Sequence, residues 1–179
     1  MPKKHSAITA FMHETLVLTE NTNLARELYN TFRFGVIYRK TKVQLNFLEA
    51  LFLLEKNKII ILDGKNKEYD FDRFVKKVSK LDKRFWVKYC VFKDFRAKGY
   101  IIKTALKFGA EFRVYNKGVK PGEDHARWVV FPVNESEALT WYEFSAKNRV
   151  AHSTKKKLLL AIVDGENDIT YYEVGWTKI

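Results

Sequence analysis

The chain is short of the residues that staple, kink or ligate. It has one cysteine, three prolines, eight glycines and four histidines in 179 residues. A single cysteine excludes an internal disulfide. Cys90 lies within the apolar pattern FWVKYCVF, so it reads as a buried structural thiol rather than a nucleophile. Four scattered histidines and that one thiol give no zinc-ligand spacing. No run of about 18 apolar residues occurs, which excludes a membrane-spanning helix. The stretch MPKKHSAITAFM lacks the apolar core of a secretory signal. The expected setting is a reducing, cytoplasmic one, with no membrane partner. Internal repeats and low-complexity segments are also absent.

Basic charge and apolar surface are plentiful. Thirty-three Lys and Arg face 21 Asp and Glu, giving a net charge of +12 and a pI near 9.6. Such an excess attracts polyanions, of which nucleic acid is the commonest; a solvated, lysine-rich surface is the plain alternative. Hydrophobic residues make up 46% of the chain and aromatics 15%. That is enough to bury one large core or two small ones.

Patterning predicts an α/β (α+β) fold. ITAFM, TLVLTE and FGVIYRK read as short strands, and NTNLARELYNTF as a helix capped by Asn21 or Thr22. Thr41, with Gln44 three residues later, resembles a capping box opening a helix over TKVQLNFLEALFLLEK. KIIILDG is a strand closed by an Asp-Gly turn, and DFDRFVKKVSKL a helix. The pattern changes near Leu81-Asp82, so the expected units are residues 1–82 and 83–179. KRFWVKYCVFKDFRAKG reads as a helix ended by Gly99, with an alternating strand as the alternative for its first part. YIIKTA, GAEFRVYNK and ARWVVFPV are strands. On the second of these, Glu111, Arg113 and Tyr115 share the face opposite Ala110, Phe112 and Val114. ESEALTWYEFSAKNRVAH reads as a helix, and KLLLAIVD, DGEND and ITYYEVGW as a closing hairpin.

Three side chains emerge at strand ends or loops in the second half. Tyr115 closes EFRVY, His125 enters the next strand from the charged loop KPGED, and Lys156 sits where a helix yields to an aliphatic strand. If the two strands are neighbours, tyrosine and histidine meet across their connection. A base, an acid and a fixed positive charge are what RNA cleavage through its own 2′-hydroxyl requires. Histidine suits the acid because it titrates near neutrality, whereas a phenol titrates at about 10 and needs a cation such as Lys156 beside it. Glu123 and Asp124 would hold His125 protonated if they point toward it. Each residue also has a plain reading: a strand-end aromatic, a loop histidine, a solvated basic run.

The segments LKFGAEFRVYNKG, DHARWVV and KNRVAHSTKKKLLLAIVD, in that order, resemble the catalytic domain of archaeal tRNA-splicing endonucleases. The resemblance is strong over residues 83–179 and supportive before that. It implies a small N-terminal α/β domain with a short sheet, serving assembly, and a C-terminal mixed-sheet nuclease domain flanked by helices. It also implies an enzyme that excises introns from precursor tRNA at a bulge-helix-bulge fold. No cofactor or metal is needed, and the products carry 2′,3′-cyclic phosphate and 5′-hydroxyl ends. By the same resemblance Tyr115 is the general base, His125 the general acid and Lys156 the charge stabiliser. Lys155 and Lys157 are register alternatives, and strand alternation would turn both away. Arg149 falls where the family clamps a splayed bulge base between guanidinium planes. No arginine follows it, which leaves Trp176 or Lys178 for the second half of the clamp.

The compact length resembles the one-copy subunit that forms a homotetramer, a dimer of dimers. Asp164, Glu166 and Asp168 then supply the acidic loop that inserts into a facing subunit, and ITYYEVGW a dimer edge. Two rivals remain open at this point. A metal-dependent nuclease would need clustered carboxylates, for which Glu111, Asp124 and Glu135 are the candidates. The other rival is a non-catalytic RNA-binding subunit.

Overall fold

In the computed structural model residues 7–177 and 179 are described, and the chain divides after Phe85 into two compact units. The fold is mixed α/β, with one mixed sheet in each unit and five α-helices among the described residues. No helix among these residues is long and apolar enough to cross a membrane.

The first unit runs β1 Ile8–Met12, β2 Val17–Thr19, α1 Asn23–Asn30, β3 Val36–Tyr38, β4 Lys42–Leu45, α2 Phe47–Glu55, β5 Ile59–Leu62, β6 Glu68–Tyr69 and α3 Phe71–Ser79. Its sheet order is β3-β4-β2-β1-β5-β6, with β1 and β5 parallel. Period-two burial sets four of these strands: Ile8 and Ala10, Val17 and Thr19, Val43 and Leu45, Ile59 and Ile61 all face inward. Burying one such aliphatic side chain contributes about 1.5–3 kcal/mol. Thr22 caps α1, accepting from the Ala25 N–H at 3.1 Å.

One expected helix is half strand. Lys42–Leu45 pairs with β3 and β2, and α2 begins only at Phe47. The helix is capped by Asn46, not Thr41: Asn46 Oδ1 accepts from the Glu49 N–H at 2.9 Å, and Glu49 Oε2 from the Asn46 N–H at 3.2 Å. The Thr41-Gln44 spacing imitates a capping box, but Arg39 and Lys40 adopt left-handed φ of 46° and 64° and turn the chain into a hairpin. Neither residue type announces such a turn.

The second unit contains α4 Phe85–Ala97 (its first residue belonging to the first unit), β7 Ile102–Ala105, a 3-10 turn Leu106–Phe108, β8 Ala110–Val114, β9 Trp128–Asn134, α5 Trp141–Ser153, β10 Lys157–Val163 and β11 Ile169–Val174. Tyr89 and Phe92 are buried at helical spacing, which settles α4 against the strand alternative. Gly99 (φ 83°) ends it, with the Tyr100 N–H returning to the Phe95 carbonyl at 2.9 Å. The helix α5 starts at Trp141 rather than in ESEAL. Thr140 and Glu143 form its capping box, while Asn134 Oδ1 turns the chain by accepting from the Ser136 N–H at 3.0 Å.

Sheet order is β11-β10-β9-β8-β7. β9 and β10 are parallel, so a crossover is required, and α5 provides it. Ala151 packs with Val129, Phe131 and Leu158 on one face of the sheet. On the other face α4 meets the sheet through Phe92 on Phe112 (6.4 Å between centroids) and Phe95 on Tyr171 (5.2 Å).

Candidate active site

Strand pairing brings the first two predicted residues together. β8 and β9 are antiparallel neighbours, and the Arg127 N–H, just before β9, donates to the Val114 carbonyl at the end of β8 at 2.9 Å. Tyr115 follows Val114 directly; its N–H donates to the Ile101 carbonyl at 3.1 Å and its side chain is 4% exposed. His125 stands exposed on the connecting loop, whose turns use Gly118 (φ 81°) and Gly122 (φ 97°).

The loop's acids are engaged with backbone. Asp124 Oδ1 accepts from the His125 N–H at 2.6 Å, and Glu123 Oε2 from the Lys120 N–H at 3.0 Å. One oxygen of each carboxylate therefore shapes the loop, and both residues also line the cleft that holds His125.

Lys156 is delivered by a helix end. Lys155 takes a left-handed φ of 54°, and the Lys156 N–H reaches back to the Ala151 carbonyl at 2.8 Å. That closure normally employs glycine. The Lys156 ammonium donates to the Thr154 carbonyl at 2.8 Å and lies 5.2 Å from the Phe108 ring centroid. Burial, and secondarily the Arg113 charge, lower its pKa from the ordinary lysine value. Lys157 turns the other way and hydrogen-bonds Glu173. Lys155 is in a turn rather than a strand, so the alternation expected of it does not apply.

Tyr115, His125 and Lys156 line a single open cleft of about 420 Å³, with Phe108, Arg113 and loop residues 121–126. A phenol, an imidazole and an ammonium around one cavity can remove a proton, return one and hold an anion.

Sequence comparisons identify the family to which the chain belongs. Residues 85–171 match the tRNA intron endonuclease catalytic C-terminal domain, and residues 8–75 its N-terminal domain. The chain belongs to the tRNA intron endonuclease family. The tRNA-splicing endonuclease of Pyrococcus furiosus is 39% identical over 173 residues, covering 97% of this chain and 98% of that protein. The one from Thermococcus onnurineus is 39% identical over 160 residues, 89% and 91% of the two chains. That of Nanoarchaeum equitans is 44% identical over 141 residues, 75% and 90%.

Other residues singled out from the sequence lie elsewhere. Arg149 and Trp176 line a second groove along α5 that shares no residue with the cleft. There the Trp176 ring stands edge-on to His152, with centroids 4.2 Å apart. Lys178 is outside the described residues. Asp164, Glu166 and Asp168 follow the far end of β10 from Lys156. Asp164 Oδ1 accepts from the N–H groups of Glu166 and Asp168, both at 2.9 Å, so it builds the loop while the other two remain exposed. The loop is tied to α4 through Asn167 Oδ1, which accepts from Trp86 Nε1 at 2.6 Å. Cys90 is a free, buried thiol whose pKa burial pushes up. Of the acids weighed as metal ligands, Glu111 pairs with Lys88 at 3.3 Å and Glu135 accepts from the Gly165 N–H at 2.8 Å. Among the described residues no three His, Cys, Asp or Glu side chains form a ligand set.

Two cleft residues were not assigned a role from the sequence. Arg113 had a signal, because alternation puts it beside Tyr115. Phe108 had none, since the 3-10 turn that presents it follows no periodic pattern.

Proposed function

We propose that the chain excises introns from precursor tRNA, cutting RNA at both splice sites of a bulge-helix-bulge fold. The observation that carries this reading is the convergence of Tyr115, His125 and Lys156 on one cleft in a chain of this family. Tyr115 as phenolate takes the proton of the 2′-hydroxyl. The 2′-oxygen bonds to the adjacent phosphorus, the bond from phosphorus to the 5′-oxygen breaks, and His125 as imidazolium protonates that oxygen. Lys156 stabilises the charge on the phosphorane. The products are a 2′,3′-cyclic phosphate and a 5′-hydroxyl, and no metal is needed, because three side chains supply base, acid and charge.

Recognition rests on shape. Arg149 and Trp176 offer a planar cation and an aromatic face along one groove, suited to gripping an unstacked bulge base. Lys178 adds charge to the same end of the chain. Two cut sites call for paired active sites, which symmetric assembly supplies, and the working form in this reading is a homotetramer, a dimer of dimers. β11 is a sheet-edge strand with Tyr172 exposed, which suits a dimer contact, and exposed Glu166 and Asp168 suit docking on a basic partner surface.

Replacing the ribose at one splice site by 2′-deoxyribose tests the chemistry. Cutting should stop at that site and continue at the other; continued cutting at the deoxy site contradicts the mechanism.

A further inference from the structure

We propose that Arg113 is a fourth catalytic group, whose guanidinium donates to a non-bridging oxygen of the scissile phosphate beside Lys156. The proposal rests on the cleavage reading above.

Register fixes its position. Arg113 on β8 stands opposite Val129 on β9, and Val129 opposite Leu158 on β10. Tyr115 comes directly after β8 and Lys156 directly before β10, so the two flank the strands to which Arg113 and Leu158 belong. Arg113 lines the cleft with Tyr115 and Lys156. Its Cζ lies 5.8 Å from the Phe108 ring centroid and 5.9 Å from that of Tyr115. Since the Lys156 ammonium lies 5.2 Å from the same Phe108 ring, one aromatic serves two cations.

Among the described residues no carboxylate pairs with Arg113. Its Nε is buried without a hydrogen-bond partner. The acid nearest on its strand, Glu111, is paired with Lys88 at 3.3 Å. In the cleft, Asp124 holds the His125 N–H and Glu123 the Lys120 N–H. Two cations therefore share a partly buried site, and their repulsion is among the causes that lower the Lys156 pKa. A structural arginine would be satisfied by a carboxylate or carbonyl. This one rests against rings, which leaves its N–H edge free for a planar, two-oxygen anion. A phosphorane carries one more negative charge than the diester, so the pair of cations favours the transition state over the ground state.

The test is single-turnover cleavage of a bulge-helix-bulge RNA by wild type, Arg113→Gln and Arg113→Lys. Each splice-site phosphate is either normal or a stereopure methylphosphonate, which lacks one non-bridging oxygen. Arg113→Gln should slow cutting roughly 10²–10³-fold, with lysine restoring part of the rate. Affinity for an uncleavable 2′-deoxy RNA should stay within roughly threefold. One methylphosphonate isomer should slow wild type yet slow Arg113→Gln no further, because both changes remove the same contact. Wild-type rates for Arg113→Gln, or full multiplication of the two effects with both isomers, overturn the proposal. If Arg113→Gln fails to fold, the same methylphosphonate series on Arg113→Lys decides, by the same criterion. Failure of the wild type itself to cut the RNA removes the cleavage reading and this proposal together. Cutting by wild type alongside an unaffected Arg113→Gln removes only this proposal.

Discussion

At the residue scale, the cleft makes separable demands on neighbouring lysines. Lys156 lines it, whereas Lys157 is bonded to Glu173 on β11. Lys156→Ala should lower the single-turnover rate roughly 10²-fold or more, as should Tyr115→Phe and His125→Ala. Lys157→Ala should leave it nearly unchanged, and a reversed ranking of the two lysines would refute the register. That the three residues share one cleft was foreshadowed by their places at strand ends and on a glycine-bearing loop, but residue types alone left each a plain reading, and the segment resemblance singled them out. The backbone N–H groups that Glu123 and Asp124 accept from were not foreshadowed, because sequence adjacency does not say which donor a loop carboxylate takes.

At the scale of elements, backbone conformation decides what pattern cannot. Lys155 occupies the left-handed position that ends α5 and aims Lys156. Glycine should hold that turn with less strain, so Lys155→Gly should raise stability by up to about 1 kcal/mol and leave cleavage intact, as read by chemical denaturation and rate. The hairpin at Arg39 and Lys40 is a second such case: two left-handed residues that are not glycine hid the end of β3 and made β4 read as helix. Most other elements were legible, since burial alternates along strands such as β1 and β8, β9 is a continuous apolar run, and Tyr89 and Phe92 recur at helical spacing.

Side-chain caps bring measurable consequences at the same scale. Glu49 is buried and accepts from the Gly35 N–H at 2.9 Å as well as capping α2. Glu49→Ala removes the acceptor of both bonds and should destabilise the chain by about 2–4 kcal/mol in denaturant melts. Asp63 accepts from Arg73 at 2.6 Å and from the Lys65 and Lys67 N–H groups, and its pKa is lowered to about 2, chiefly by Arg73. A lowered carboxylate pKa stabilises the fold above the unfolded value of about 3.9, and that stability is lost as pH falls through the folded one. Melting temperature should thus fall between about pH 4 and pH 2, less steeply in Asp63→Asn.

At the scale of the whole molecule, net charge of +12 and family membership point to the same polyanion. RNA affinity should fall steeply with salt, roughly 10³-fold between 50 and 200 mM if six or so phosphates are contacted. Composition announced the class of partner and the three segment motifs announced the family. The groove of Arg149 and Trp176 needed the folded chain, because the two residues come from separate elements that meet only in the second unit. The most direct test of the account is end-group analysis of a bulge-helix-bulge RNA cut by the purified protein in excess chelator. The account predicts cutting at both sites with 2′,3′-cyclic phosphate and 5′-hydroxyl ends; loss of cutting in chelator, or a 5′-phosphate product, would contradict it.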